Sequence, residues 1–148
     1  MKKRLLSLFF ALLMLVSLST VVYASNGNAR ASAYFGATDV RAYAKSGGRI
    51  LFEVDIDATH TMQEVGASEI YVYEQQDDGS WDNVYTFTMD EHSYLLETNS
   101  IGACVDATYQ GTVGKDYFAT VACYARDSSG AERLYCDTPV VTAKLIVW

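Results

Sequence analysis

From Ala33 onward the apolar residues fall on every second position, and clusters of Gly, Ser, Asp and Asn repeatedly cut that alternation. A period of two places side chains on one face of a pleated strand, whereas a helix would repeat near every 3.6 residues. Val, Ile, Thr, Tyr and Phe fill the apolar positions, and these residues suit a half-buried pleated surface. Between residues 25 and 148 there are five Leu and ten Tyr, the reverse of a helical vocabulary. Such a chain is confined to antiparallel strands joined by tight turns. At 148 residues it supplies one domain, which excludes a large enzyme, a repeat solenoid and a multi-span membrane protein.

The N-terminus follows another rule. Met1, Lys2, Lys3 and Arg4 form a positive cluster, and Leu5 to Val16 is apolar except for Ser7. Val22 and Ala24 place small residues at −3 and −1 of a cleavage point. This is the layout of a secretory signal peptide, with cleavage expected after Ala24. The apolar run is shorter than the ~20 residues a membrane helix needs. Ser25 to Ser32 reads as a small, polar, flexible lead-in, residues 33–143 as the folded domain, and residues 144–148 as a hydrophobic tail.

Removing the leader takes away three of the 11 basic residues and none of the 18 acidic ones, so the mature charge is 8 − 18 = −10. That balance argues against nucleic acid and anionic membrane surfaces as partners, since both would repel it. The expected location is extracellular.

The punctuation predicts strands over residues 38–45, 49–58, 69–75, 81–89, 93–97, 103–110, 117–126 and 131–143. Residues 59–68 read as a longer crossing, and Asp77-Asp78-Gly79-Ser80 as a hairpin turn. Gly111 to Lys115 and Asp127 to Gly130 read as further turns. Pro139 cannot donate to a ladder, so it belongs at an edge or bulge. About seven short strands at this spacing predict an all-β antiparallel sandwich. The inward phase Tyr117, Ala119, Val121, Cys123, Ala125 matches the penultimate strand of an immunoglobulin-like or fibronectin type III-like sandwich, with Tyr117 where such folds place a corner tyrosine.

Gly79-Ser80-Trp81 before a Tyr-Thr strand, Tyr109-Gln110-Gly111, Tyr117 through Ala125, and Ser128-Ser129-Gly130 together resemble a family of small secreted proteins from Gram-positive, gut-type anaerobic bacteria. The likeness covers nearly all of the mature chain. It implies the sandwich fold and implies no activity, because the family has no assigned function. Cys104, Cys123 and Cys136 depart from it, at positions more often hydroxyl or apolar.

Three cysteines in an exported chain suggest one bridge and one spare thiol. A turn that sets Ser128 opposite Ala131 sets Cys123 opposite Cys136, making them the candidate disulfide and leaving Cys104 free, able to join two chains of an otherwise monomeric protein. No C-x-x-C or ligand-spaced histidine points to zinc, and no cofactor or metal is expected. His60 and His92 read as exposed loop residues, and no nucleophile–base motif accompanies them. Glu53, Asp55 and Asp57 share one face of one strand, where they repel rather than straddle a substrate. Arg41 and Lys45 are expected to neutralise them across the hairpin. A calcium site from these, or from Asp77, Asp78 and Asp82, is the alternative to a solvated charged face, although the D-x-D-x-D-G register is absent.

Aromatic residues are the remaining surplus: Tyr71, Tyr73, Trp81, Tyr85, Tyr94, Tyr109, Tyr124 and Tyr135 exceed what one small core holds. Tyr71 and Tyr73, out of phase with Ile70 and Val72, are the expected exposed pair, followed by Trp81. The expected function is a secreted, non-catalytic module binding a protein partner through loops or an aromatic sheet face. The alternative is a carbohydrate-binding module using Tyr71, Tyr73 and Trp81, and a small hydrolase is a remote third reading.

Overall fold

The computed structural model describes residues 32–146. The leader, its cleavage after Ala24, the lead-in as far as Ala31, and Val147 and Trp148 lie outside the described residues. The described residues contain no α-helix, and no helix long and apolar enough to cross a membrane.

Seven strands follow in order: β1 (Phe35–Ala44), β2 (Arg49–Gln75), β3 (Trp81–Thr88), β4 (Leu96–Gln110), β5 (Asp116–Arg126), β6 (Ala131–Asp137) and β7 (Val141–Thr142), with single 3-10 turns at Ser46–Gly48 and Ser93–Leu95. All pairings are antiparallel and belong to one sheet. The sheet curls on itself into a sandwich-like body. The first half of β2 lies between β1 and the second half of β4, forming a three-stranded layer. Its second half lies between β3 and β5, and β5 carries β6 and β7 on its far side, forming a four-stranded layer closed by the short β7. The start of β4 continues along β2 between these regions, so a β2–β4 ribbon passes from one layer into the other.

The 27-residue β2 replaces two predicted strands and the crossing between them. Residues 59–68 look like a loop because Thr59, His60, Thr61 and Gly66 break the alternation. The structure absorbs them as irregularities in one strand. Between the pairs Asp57–Gly102 and Met62–Ser100, β2 advances five residues while β4 advances two, which pushes Thr59, His60 and Thr61 outward. At Gly66 (φ 152°) a Cβ would lie 2.1 Å from the Leu95 carbonyl oxygen, so only glycine lets β4 approach here. Ser68 is then one extra residue between the pairs Ala67–Cys123 and Glu69–Ala122, a bulge. It returns the inward phase from Val65 and Ala67 to Ile70 and Val72.

The core joins the inner faces of both layers. Phe52, Val54 and Ile56 from one half of β2 pack in the same cluster as Ile70, Val72, Tyr117 and Val121. Each fully buried side chain of this size contributes roughly 1.5–3 kcal/mol. Tyr117 is completely buried, yet its hydroxyl is satisfied: it accepts the Thr112 N–H at 2.8 Å and donates to the Glu74 carboxylate. The hydroxyl thereby ties the start of β5 to the turn before it.

Other expectations are adjusted. The first strand begins at Phe35 rather than residue 38. The predicted strand at 93–97 is a 3-10 turn leading into β4, which starts seven residues before the predicted 103. The last strand divides into β6 and β7 around Pro139, at the break where proline was expected. There the Thr138 hydroxyl accepts the Ala119 N–H at 3.0 Å, and the Thr138 N–H donates to the Ala119 carbonyl at 2.9 Å. Ser32 is anchored rather than flexible: its hydroxyl accepts the Phe35 N–H at 2.7 Å and donates to Glu132 at 2.8 Å. In the tail, the carbonyls of Lys144 and Leu145 accept the N–H groups of Gly48 (2.8 Å) and Gly47 (2.7 Å), closing the end of the sandwich.

Candidate binding faces

The outer face of the four-stranded layer gathers the aromatic candidates. Tyr71 stands between Thr86 of β3 and Thr120 of β5, and Tyr73 between Asn83 and Phe118. Tyr73 stacks on Phe118 with centroids 4.9 Å apart and planes 12° apart, and Trp81 meets the same Phe118 edge-on at 4.8 Å. The three predicted binding residues therefore share one face. They are half-buried rather than fully exposed: Tyr71 and Tyr73 have strands on both sides, and Trp81 on the edge strand β3 packs against Phe118.

The structure adds residues that were not singled out as candidates. Phe118 fills the gap between Tyr73 and Trp81; its position opposite in phase to Tyr117 and Ala119 was the available signal. Tyr135 on β6 is 61% exposed, and its backbone lies one strand beyond Ala122, which pairs with Glu69. Beside these rings runs a polar network. The Arg133 Nε–H donates to the Ser68 hydroxyl at 3.2 Å, and that hydroxyl donates to the Glu69 carboxylate. The guanidinium also lies 5.2 Å from the Tyr124 ring centroid. One row further along, the Thr120 hydroxyl donates to Asp137 at 2.6 Å. Desolvation first, and then the Glu69 charge, push the Tyr71 phenol above its ordinary pKa, so it stays protonated and can both donate and accept.

Tyr85 and Tyr109 turn elsewhere. The Tyr85 ring lies 4.7 Å from buried Phe87 and 5.9 Å from Tyr109, which in turn lies 5.7 Å from Tyr117. These rings follow the inward phase of Val72 and Ile50, away from the face that carries Tyr71 and Tyr73.

The outer face of the three-stranded layer carries the carboxylates. Glu53, Asp55 and Asp57 project from β2, with Asp39 of β1 opposite Asp55 and Asp106 of β4 opposite Glu53. Arg41 sits among them, 2.8 Å from Asp39 through Nε, 3.2 Å from Asp55 and 3.8 Å from Glu53. The hydrogen bond to Asp39 raises its already high pKa further. Lys45 does not share this role as expected; its ammonium lies 5.6 Å over the Tyr43 ring. The calcium alternative gains nothing. Among the described residues no three metal-ligating side chains converge. Asp77 instead takes the Lys115 ammonium, and Asp78 accepts the Ser80 hydroxyl at 2.6 Å and its N–H at 2.9 Å.

Cys104 lies exposed on this acidic face. A hydrogen bond to Asp55, and then the charges of Asp55, Asp106 and Asp57, raise its pKa and hold it as a thiol. The predicted opposition of Cys123 and Cys136 is displaced by two residues. Cys136 pairs with Val121 and Cys123 with Leu134. The cause is the turn: Asp127 accepts the N–H groups of Ser129 (2.7 Å) and Gly130 (3.1 Å), which centres it on Ser128-Ser129. The two cysteines are diagonal neighbours on the inner face, and both are free thiols. Burial first, and then Cys136, push Cys123 up to about 12.

His60 is exposed as expected but lies in a strand, and His92 lies in a loop as expected but is half-buried. His60 lies within β2 at its outward step; Nε2 is 2.9 Å from Asp127, and Nδ1 is 3.0 Å from the Thr59 hydroxyl. This has the outline of a hydroxyl–imidazole–carboxylate relay. The Thr59 hydroxyl, however, donates to the Ala33 carbonyl at 2.6 Å, so the group ties the β5–β6 turn and the chain before β1 to the bend of β2. His92 sits between the rings of Phe87 (5.4 Å) and Tyr94 (5.5 Å), with Nε2 buried and unpartnered.

No protein-family model, no curated protein and no solved structure matches this chain.

Proposed function

We propose that the protein is an exported, non-catalytic interaction module of fibronectin type III-like topology, acting as a monomer through the outer face of its four-stranded layer. Pairing of β3 with β2 supports that topology, since a constant-type immunoglobulin domain would place its fourth strand beside the strand equivalent to β4. The observation that carries the function is the concentration of Tyr71, Tyr73, Trp81, Phe118 and Tyr135 on one outer face. Interfaces are enriched in such rings, which bring large area with few rotatable bonds. The face is a better candidate than the loops, whose polar groups are already engaged within their own turns, as at Asp78–Ser80 and Asp127–Gly130.

A site-placed photo-crosslinker tests this. Benzoylphenylalanine in place of Tyr135 is compared with the same group in place of Asp106, each protein being incubated with its producing culture. Adducts formed at position 135 and absent at 106 are expected. Equal adducts at both, or adducts at 106 alone, would remove the ring face from the function.

A further inference from the structure

We infer that the ligand of the ring face is an uncharged polysaccharide chain, bound across the strands by Glu69, Tyr71, Thr120, Arg133, Tyr135 and Asp137. This inference rests on the face proposed above and names its ligand class.

The first argument is the arrangement of groups. The cross-strand row through Tyr71 runs Thr86, Tyr71, Thr120, Asp137, and the next runs Thr88, Glu69, Ala122, Tyr135. Each row combines an aromatic ring with hydroxyl and carboxylate groups, at the ~4.8 Å spacing of adjacent strands. A pyranose has the same two-sided chemistry: a C–H face that packs on a ring, and a rim of hydroxyls that donate to carboxylates and accept from guanidinium. Glu69 and Arg133 are already held by Ser68, so their orientation is set before a ligand arrives. A protein hot spot would favour rings surrounded by apolar residues at a dry centre. Here hydroxyl and charged groups flank the rings.

The second argument is charge. Without its leader the chain carries 8 − 18 = −10, and this face itself holds two carboxylates, Glu69 and Asp137, against one guanidinium, Arg133. An anionic glycan, nucleic acid or acidic peptide would be repelled. A basic partner would be drawn instead to the opposite face, where Asp39, Glu53, Asp55, Asp57 and Asp106 surround a single Arg41. The ligand that the ring face fits is therefore neutral and rich in hydroxyls.

Affinity electrophoresis of the exported protein through gels containing amylose, mixed-linkage β-glucan, xylan or galactomannan tests the inference, with polygalacturonate as the anionic control. Retardation by at least one neutral polysaccharide and none by polygalacturonate is expected. Tyr71→Ala and Tyr135→Ala should each weaken it by roughly tenfold, the value of one stacked ring, while Asp106→Asn leaves it unchanged. Tyr135→Ala is the decisive variant, because a largely exposed ring can be removed without unfolding the sheet. Migration unaffected by every neutral polysaccharide, or retardation by polygalacturonate alone, overturns the inference. If the crosslinker at position 135 still captures material in that case, the ring face stands and only the glycan is lost. Retardation undiminished in Tyr71→Ala/Tyr135→Ala overturns the inference and leaves the ring face to the crosslinker.

Discussion

The two outer faces of this molecule are built on the same strand and have opposite chemistry. In its first half β2 sends out Glu53, Asp55 and Asp57; in its second half it sends out Glu69, Tyr71 and Tyr73. The inward residues of the halves are alike, Val54 and Ile56 against Ile70 and Val72, and all four are buried. Packing therefore does not account for the difference, which lies wholly in positions that the fold leaves free. The acidic face is solvated and self-repelling apart from Arg41. The ring face is cross-linked by its own contacts, Tyr73 on Phe118 and Phe118 on Trp81, and keeps Tyr135 exposed.

Four experiments would break or sharpen this contrast. The most disruptive acts where the faces divide. Gly66→Ala forces a Cβ against the Leu95 carbonyl at a positive φ and should cost at least ~3 kcal/mol, read as a lost or sharply lowered urea midpoint. A midpoint close to that of the parent would mean that β2 does not need the close approach of β4. Phe118→Ala separates structure from recognition within the ring face. Its ring is held between Tyr73 and Trp81, so its loss should cost about 2 kcal/mol of stability, whereas Tyr135→Ala should cost under ~0.5 kcal/mol. Equal losses would contradict that division.

The acidic face is probed by Cys104. Its raised pKa lowers the thiolate fraction, so modification by a disulfide reagent at mildly alkaline pH should be slow, and Asp55→Asn should speed it by roughly threefold. No acceleration would show that the carboxylates do not govern this thiol. Slow exchange also works against dimers joined through Cys104. The smallest effect belongs to acid titration. The Ser129 hydroxyl and then His60 hold Asp127 well below the ordinary carboxylate range. A depressed folded pKa adds stability above the unfolded value of ~3.9, and that stability is lost as pH falls through the folded one. Asp127→Asn should thus lower stability slightly at neutral pH, where the charged form contributes fully, and flatten the acid limb below about pH 4, so that variant and parent converge in acid. An identical acid limb in the variant would discard the role of this turn.

Local patterns in the sequence announce much of this architecture, and long-range ones do not. The alternation at Ile50 to Ala58 and at Tyr117 to Ala125 announces both strands and their inward residues, because burial of one face imposes the period directly. The outward phase of Tyr71 and Tyr73 follows from the same rule. The continuity of β2 is illegible, since Thr59, His60, Thr61 and Gly66 carry loop chemistry and only the approach of Leu95 explains the glycine. The β5–β6 register is not legible because it depends on which backbone N–H groups the Asp127 side chain captures among Ser128, Ser129 and Gly130. Arg133 and Ser68 could not have been paired by inspection, since they stand 65 positions apart and meet only through the bulge.

One strand shared by both layers leaves the molecule without a joint. Residues on either side of a linker could open separately, but Val54 and Val72 belong to one continuous strand of one hydrogen-bonded sheet. Their deuterium uptake should therefore rise together, in a single cooperative opening. Occupation of the ring face would then slow uptake on the acidic side as well, so the far surface would register a ligand that it never touches.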